Sequence, residues 1–415
     1  MRRKSKHYKN ISIIRDAGNT ADIILDELRS KKETWLAGIQ SVREMILGDV
    51  AMLADFPAPT FNESGRAKFI LGRLSESGNK HACIDDICNV VAAEKGRTGK
   101  KNILVCTHID NQFEEDVDQR IAVTESKVYG AGIADDNLSI AVLMALPDIL
   151  RKLNIKLDCN LTMLFASRFH GRGDFEGMRM FMEKHPGQFD TVLNLNGLTL
   201  GALKFFTLSR TFCEIHCKAQ DAAPKNFWLK MIDGNAILII NEVISSLFSI
   251  PLPGKPRTAL NIGKVLGGEH YSSGSREAMI SLEIFCEDEN FMDLLLEEIK
   301  HRCHDISVKN YADIKVEFFG RHRASGLSCG HPLIKTALGI VNEIGRTPQL
   351  EYATSHITVC LSEKIPSLSI GLTDGVGGNT ADSYIEIAPL THGILQLVML
   401  LKSIDMMGDS INAKY

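Results

Sequence analysis

KNILVCTHID (Lys101–Asp110) is the stretch on which the fold reading turns. Its apolar run is short and continuous, the pattern of a buried strand in an α/β sheet rather than of an amphipathic helix. His108 and Asp110 close it with one residue between them. Alternation along a strand sends both side chains to the same side, so the carboxylate can hold the far nitrogen of the imidazole. A metal-bound histidine needs that arrangement.

Outward from this strand the texture alternates. Helical spacing covers about Asn19 to Ala54, and DFPAPTFNESG (Asp55–Gly65) is a proline-broken loop. Asn62 or Ser64 is expected to cap the helix that follows. ICNVVAAEKG (Ile87–Gly96) reads as a strand, AGIADDNLSIAVLMALPDIL (Ala131–Leu150) as a glycine-rich turn running into an apolar helix. NLTMLFAS (Asn160–Ser167) and DTVLNLNG (Asp190–Gly197) are further strands, with the helix EGMRMFMEKH (Glu176–His185) between them. Strands alternating with helices predict an α/β sheet covered on both faces.

Near Leu208 the pattern changes. RTFCEIHCKAQ alternates like a half-buried strand, and AILIINEVISSLF is a helix. Two strands, a long helix and a last strand, IKVEFFGRH, follow. Two helices and four strands in this sequence predict a ferredoxin-like α+β insertion. The α/β texture then resumes, giving an expected division into 1–207, an inserted 208–322 and 323–415.

Composition sets limits on function. The chain has 415 residues, 44% of them hydrophobic and 24% charged, with a formal net charge of −4. A general nucleic-acid binder would show a basic excess, so none is expected as a partner. No segment is expected to be long and apolar enough to span a membrane, and the basic start MRRKSKHYKN reads as a solvated tail. Ten cysteines without CxxC spacing suggest reduced thiols in a cytoplasmic protein.

Chemistry concentrates at strand exits. Besides His108 and Asp110 there are Asp135 and Asp136 in the glycine-rich turn, where an aspartate can reach one cation or bridge two, and the lip ASRFHGRGDFEGMR (Ala166–Arg179). Strand exits of one α/β sheet are the usual place for a ligand. The lip is unusual in presenting Phe169 and His170 rather than acids.

FPAPTFNESGRAKFIL, ICNVVAAEKG, ILVCTHID, VYGAGIADDNLSIAVL, GDFEGMRMFM, IPSLSIGLTDGVGGN and YIEIAPL occur in order along nearly the whole chain. In these stretches the chain resembles the two-zinc metallopeptidase superfamily of acetylornithine deacetylase, succinyl-diaminopimelate desuccinylase, glutamate carboxypeptidase and peptidase T. The resemblance implies a zinc-exopeptidase-like mixed sheet flanked by helices, and an inserted lid through which many members form homodimers. It implies a first-metal histidine at His108, an orienting aspartate at Asp110 and a metal-bridging aspartate at Asp135.

Other family positions depart. Two adjacent glutamates, a general base and a metal ligand, fall on Phe169 and His170. Phenylalanine cannot accept a proton, whereas imidazole is a good zinc ligand. The acidic ligand of LNLNG is Asn196, a weaker donor. The late metal histidine after GGN is missing, with Thr380, Ala381 and Asp382 there; the lid stretch KAQDAAPKNFW lacks an oxyanion histidine. Substrate-side positions fall on Ser272, Arg276, His356 and Asn379. The cluster Arg321, His322, Arg323 offers either an anion site or a solvated surface.

Two readings result. One is a non-catalytic binding or regulatory descendant that takes a small molecule or peptide in its cleft and keeps one divalent cation, zinc or another, or none. The alternative is an active amidohydrolase or peptidase, acting on N-acyl amino acids or peptides. Its site would be rewired through Asp136, Asp174, His356, Asp374 or Asp382.

Overall fold

The computed structural model describes residues 20–113, 117, 119–220, 234–271, 274–377, 380 and 382–407. The chain divides into two compact units, Met1–Phe206 with Gly326–Tyr415, and Thr207–Ser325.

The larger unit is built on β1 (Cys83–Ile84), β2 (Val90–Glu94), β3 (Asn102–His108), β4 (Ala122–Val123), β5 (Lys127–Tyr129), β6 (Asn160–Ala166), β7 (Thr191–Leu198) and β8 (Ala202–Thr207). The inserted unit supplies β9 (Ser209–Ala219), β10 (Thr258–Gly267), β11 (Glu277–Cys286) and β12 (Ala312–His322). The larger unit is then completed by β13 (Gln349–Ala353), β14 (Ser367–Thr373), β15 (Gly375–Val376) and β16 (Tyr384–Glu386). Eight strands form the main sheet in the order β1-β2-β6-β3-β7-β14-β8-β13. β3 lies parallel between β6 and β7, and β14 runs parallel to β7. The pairings β1–β2, β2–β6 and β14–β8 are antiparallel, so the sheet is mixed.

The central strands are apolar because both faces are covered. β14 is buried along its whole length, and β3 from Ile103 to His108. The helix Leu138–Lys152 is buried at all but three of its 15 positions. One expectation is corrected by the last helix, Ile387–Met406, which is long and apolar enough to cross a membrane; 78% of its apolar window is buried inside the fold. It packs on β14 and on the helices Thr20–Gln40 and Pro332–Glu343, and a helix enclosed on several sides is apolar nearly all round. All ten cysteines are free.

The inserted unit has the strand order β10-β11-β9-β12, antiparallel throughout, with the helices Ala236–Phe248 and Glu289–Asn310 connecting β9 to β10 and β11 to β12. This is the ferredoxin-like arrangement. The alternation of β11, buried at every second residue, turns one face onto those helices. Asn235 and Asp288 cap them, accepting hydrogen bonds from the amides of Ile237 and Phe291.

The elements the sequence did not reveal are short or unpatterned. β8 (ALKFFT) is a strand of the main sheet, and β4, β5, β15 and β16 form a separate antiparallel patch of two- and three-residue strands. Neither Asn62 nor Ser64 caps the helix Ser64–Glu76. Glu63 occupies the N-cap position without a side-chain cap bond.

Candidate functional site

His108 ends β3 and pairs in register with Ala166, the last residue of β6. On the other side β3 and β7 pair up to Cys106 and Asn194, so two residues further on His108 and Asn196 stand level. Between β5 and the helix Leu138–Lys152, the segment Ile133–Asn137 bends sharply. Gly132 enters it at φ 73°, and Asp135 lies outside helical geometry at φ −136°, ψ 82°. The turn is pressed against β7: a Cβ on Gly197 would lie 1.8 Å from the Ala134 carbonyl oxygen. Thus the sheet itself brings Asp135 to His108. Asp135 Oδ1 stands 3.8 Å from His108 Nε2, which is buried and has no hydrogen-bond partner.

Behind this turn Arg66 and Asp136 form an ion pair at 2.6 Å, both side chains fully buried. Arg66 also donates to the carbonyl oxygens of Phe56 (2.8 Å) and Ile109 (3.0 Å). One guanidinium therefore ties the exit of β3 to the Asp135–Asp136 turn. Arg66 stands four residues before Ile70 and eight before Leu74, on the buried stripe of its helix. A charge at that position was the signal available in the sequence.

Asp110 does not orient His108, contrary to the expected role. Its carboxylate accepts from the Thr60 hydroxyl (2.7 Å) and from the backbone amides of Phe169 (2.9 Å) and His170 (3.0 Å). The chain turning back out of β6 presents these N–H groups to the carboxylate, and an anion held by several amides is well satisfied. Glu63, which the sequence reading passed over, acts in the same way. Its buried carboxylate accepts from the amides of Phe61 (3.0 Å) and Arg168 (2.9 Å), two residues at positive φ. Burial pushes its pKa up against the pull of those two amides.

The lip so fastened holds a cluster of rings. Phe169 stacks on His108 with centroids 4.2 Å apart and planes 14° from parallel. His170, Phe175 and His356 meet Phe169 edge-on at 4.7, 4.9 and 5.0 Å. His170 lies 5.1 Å from His108, and its Nδ1 is 2.9 Å from the Gln112 side-chain amide, which donates to it. His356 is fully buried, both ring nitrogens lack partners, and burial next to His108 and His170 holds its pKa well below the usual histidine value. It belongs to the packed interior behind Phe169, which corrects the expectation of a substrate contact.

The proposed replacement ligands are engaged elsewhere. Asp136 is paired with Arg66 and Asp374 with Arg346 at 2.5 Å. Asp174 is nearly buried beside Arg179, 3.9 Å away, and Asp382 is exposed. Asn196 Oδ1 accepts from the Asn194 amide at 2.9 Å. In the inserted unit Arg276 is exposed, and Arg321 pairs with Glu289 and Asp293. Ser272, Asn379, Ala381 and most of KAQDAAPKNFW lie outside the described residues.

A zinc centre can be tested against these donors. Zinc takes four, with N and O ligands about 2.0–2.2 Å away, and catalytic sites keep three from the protein. An ion about 2.1 Å from both His108 Nε2 and Asp135 Oδ1 would see them roughly 130° apart, wider than the tetrahedral angle. Among the described residues no three His, Cys, Asp or Glu side chains converge as a metal site, so His108, Asp135 and His170 do not form one. Among the described residues the donor set completes neither a two-zinc centre nor a one-zinc centre.

No family model matches the chain. It is 23% identical over 327 residues to carboxypeptidase G2 from Pseudomonas sp. (strain RS-16), covering 75% of this chain and 76% of that protein. Among solved structures it resembles the dipeptidase Dug1p from Saccharomyces cerevisiae, with a TM-score of 0.74 at 13% identity over 90% and 98% of the two chains. The chain thus shares the fold of these peptidases and is similar in sequence to carboxypeptidase G2. The Bacillus subtilis YxeP protein, a dinuclear metal-binding peptidase of the M20 family, superposes with a TM-score of 0.59 at 16% identity, covering 87% and 98% of the two chains. In this chain the strand exits and the Asp135 turn are in place, and the side chains next to His108 are aromatic.

Proposed function

We propose that this chain is a non-catalytic member of the M20 metallopeptidase family that binds a small molecule or peptide in its cleft. The observation that supports it is the stacking of Phe169 on His108 at 4.2 Å. The resemblance puts the general base at that position, and a phenyl ring can neither take a proton from water nor coordinate a cation. Losing a positioned base forfeits about 10²–10⁴ in rate. Asp110 and Glu63, the buried carboxylates next to the lip, are committed to backbone amides and do not replace it. His108 and Asp135 offer a two-point hold on at most one divalent cation. The inserted unit, with its exposed Val265 and Leu266 on edge strand β10, is read as the surface for homodimerisation.

The reading is tested by loading the purified chain with zinc, cobalt or manganese, counting tightly bound ions, and screening N-acyl amino acids and dipeptides for hydrolysis. At most one ion per chain and no metal-dependent turnover are expected. Turnover that requires metal and disappears in His108→Ala would overturn the proposal.

A further inference from the structure

Building on the non-catalytic reading, we propose that the slot between His108 and Asp135 binds a primary organic ammonium group rather than a metal ion. Asp135 has no Lys or Arg partner among the described residues, and its side chain is 29% exposed, open to a ligand. Among the described residues its polar partner is His108 Nε2, buried and itself without a hydrogen bond there. Two acceptors 3.8 Å apart can both lie about 2.9 Å from one nitrogen. An R–NH3+ group would donate one N–H to the carboxylate and another to the imidazole as its Nδ1–H tautomer.

Charge points the same way. Among the described residues the other carboxylates around the slot are spent: Asp136 on Arg66, Asp110 on the Thr60 hydroxyl and two amides, Glu63 on two amides. One free carboxylate balances one positive charge and leaves a dication largely uncompensated. The rings supply what an organic cation needs. Phe169, half-buried and stacked on His108, and His170 beside both put aromatic rings next to the charge, and the face of such a ring attracts a cation. A free amine and a peptide N-terminus share this chemistry.

The experiment titrates the full chain, kept in chelator, with benzylammonium, its neutral counterpart benzyl alcohol and a dipeptide with a free or acetylated N-terminus, by calorimetry. Benzylammonium is expected to bind at least about tenfold more tightly than benzyl alcohol, and Asp135→Asn to remove that advantage. A free N-terminus that binds while its acetylated form does not assigns the slot to peptides; binding of benzylammonium alone assigns it to free amines. Equal binding of amine and alcohol, or no amine binding at millimolar concentration, overturns the proposal, and this wild-type comparison stands even where Asp135→Asn does not fold. Two tight zinc ions with turnover in the preceding screen would instead overturn the non-catalytic reading on which this rests.

Discussion

Arg66→Met is the most informative single change, because it acts on the support of the site and not on its surface. Arg66 and Asp136 are both fully buried and 2.6 Å apart. Removing one partner of such a pair costs about 3–5 kcal/mol, since the other charge is stranded without water. The carbonyls of Phe56 and Ile109 also lose their donor, and each buried acceptor left unpaired adds about 1–3 kcal/mol. The sum, on the order of 5–10 kcal/mol before relaxation, rivals the whole stability of a typical domain. Asp136 can limit the loss by entering the fold protonated, as burial pushes its pKa well up even with the guanidinium present. A raised folded pKa means that stability is gained as pH falls, so the deficit of Arg66→Met should be smaller at pH 5 than at pH 8. The assay is calorimetric unfolding at both pH values, with Arg66→Met/Asp136→Leu alongside. The double variant should recover the ion-pair part of the loss, about 3–5 kcal/mol, because neither charge of the pair remains buried, while the two carbonyls stay without their donor. A single variant within about 1 kcal/mol of wild type, or a double variant no better than the single, would refute the reasoning.

Other predictions are briefer. His356 is held neutral when folded, whereas unfolded it titrates near 6.5, so the unfolded chain takes up a proton first as pH falls. Wild type should therefore lose stability below about pH 6.5 with a slope up to about 1.4 kcal/mol per pH unit steeper than His356→Phe, as read from urea midpoints at stepped pH. Gly197→Ala puts a methyl group 1.8 Å from the Ala134 carbonyl oxygen, so thermal denaturation should show a loss of more than about 2 kcal/mol, with the Asp135 turn displaced. Asp110→Asn keeps the shape of the clamp but weakens its charge-assisted bonds to Phe169 and His170, at a cost of about 1–2 kcal/mol with raised amide exchange at those two residues.

The fold was legible because its signals are long-range and redundant. β3, β6, β7 and β14 are short apolar runs between polar turns, and the βαββαβ order of the insertion follows from period alone. What escaped was short, like β4 and β5, or apolar for a reason the sequence does not state, like the helix Ile387–Met406, which the fold encloses. The site was half legible. His108 and Asp135 do meet, because strand exits of a parallel pair are fixed by register. The role of Asp110 was misassigned because alternation gives the side of the sheet and not the partner. The amides that capture its carboxylate come from the lip, 59 and 60 residues away along the chain. Glu63 has no pattern at all: its function is two hydrogen bonds to backbone.

The clamps explain how an aromatic lip can persist on this scaffold. A carboxylate at position 169 or 170 would stand beside Asp110 and Asp135 and, without cations, would repel both. A phenyl ring at 169 removes that repulsion and stacks on His108, while Asp110, freed from orienting an imidazole, spends its charge on the amides of the lip. The two changes support each other: the ring holds His108 in place of the aspartate, and the aspartate holds the ring's own backbone. Restoring the acid alone, as Phe169→Glu, should therefore lower stability by about 2 kcal/mol or more, because a charge replaces a ring packed against Phe175 and His356. Added zinc should return part of that loss in Phe169→Glu and leave the wild-type melting temperature nearly unchanged. A Phe169→Glu chain as stable as wild type without metal would show that the aromatic lip is incidental to the packing of the site.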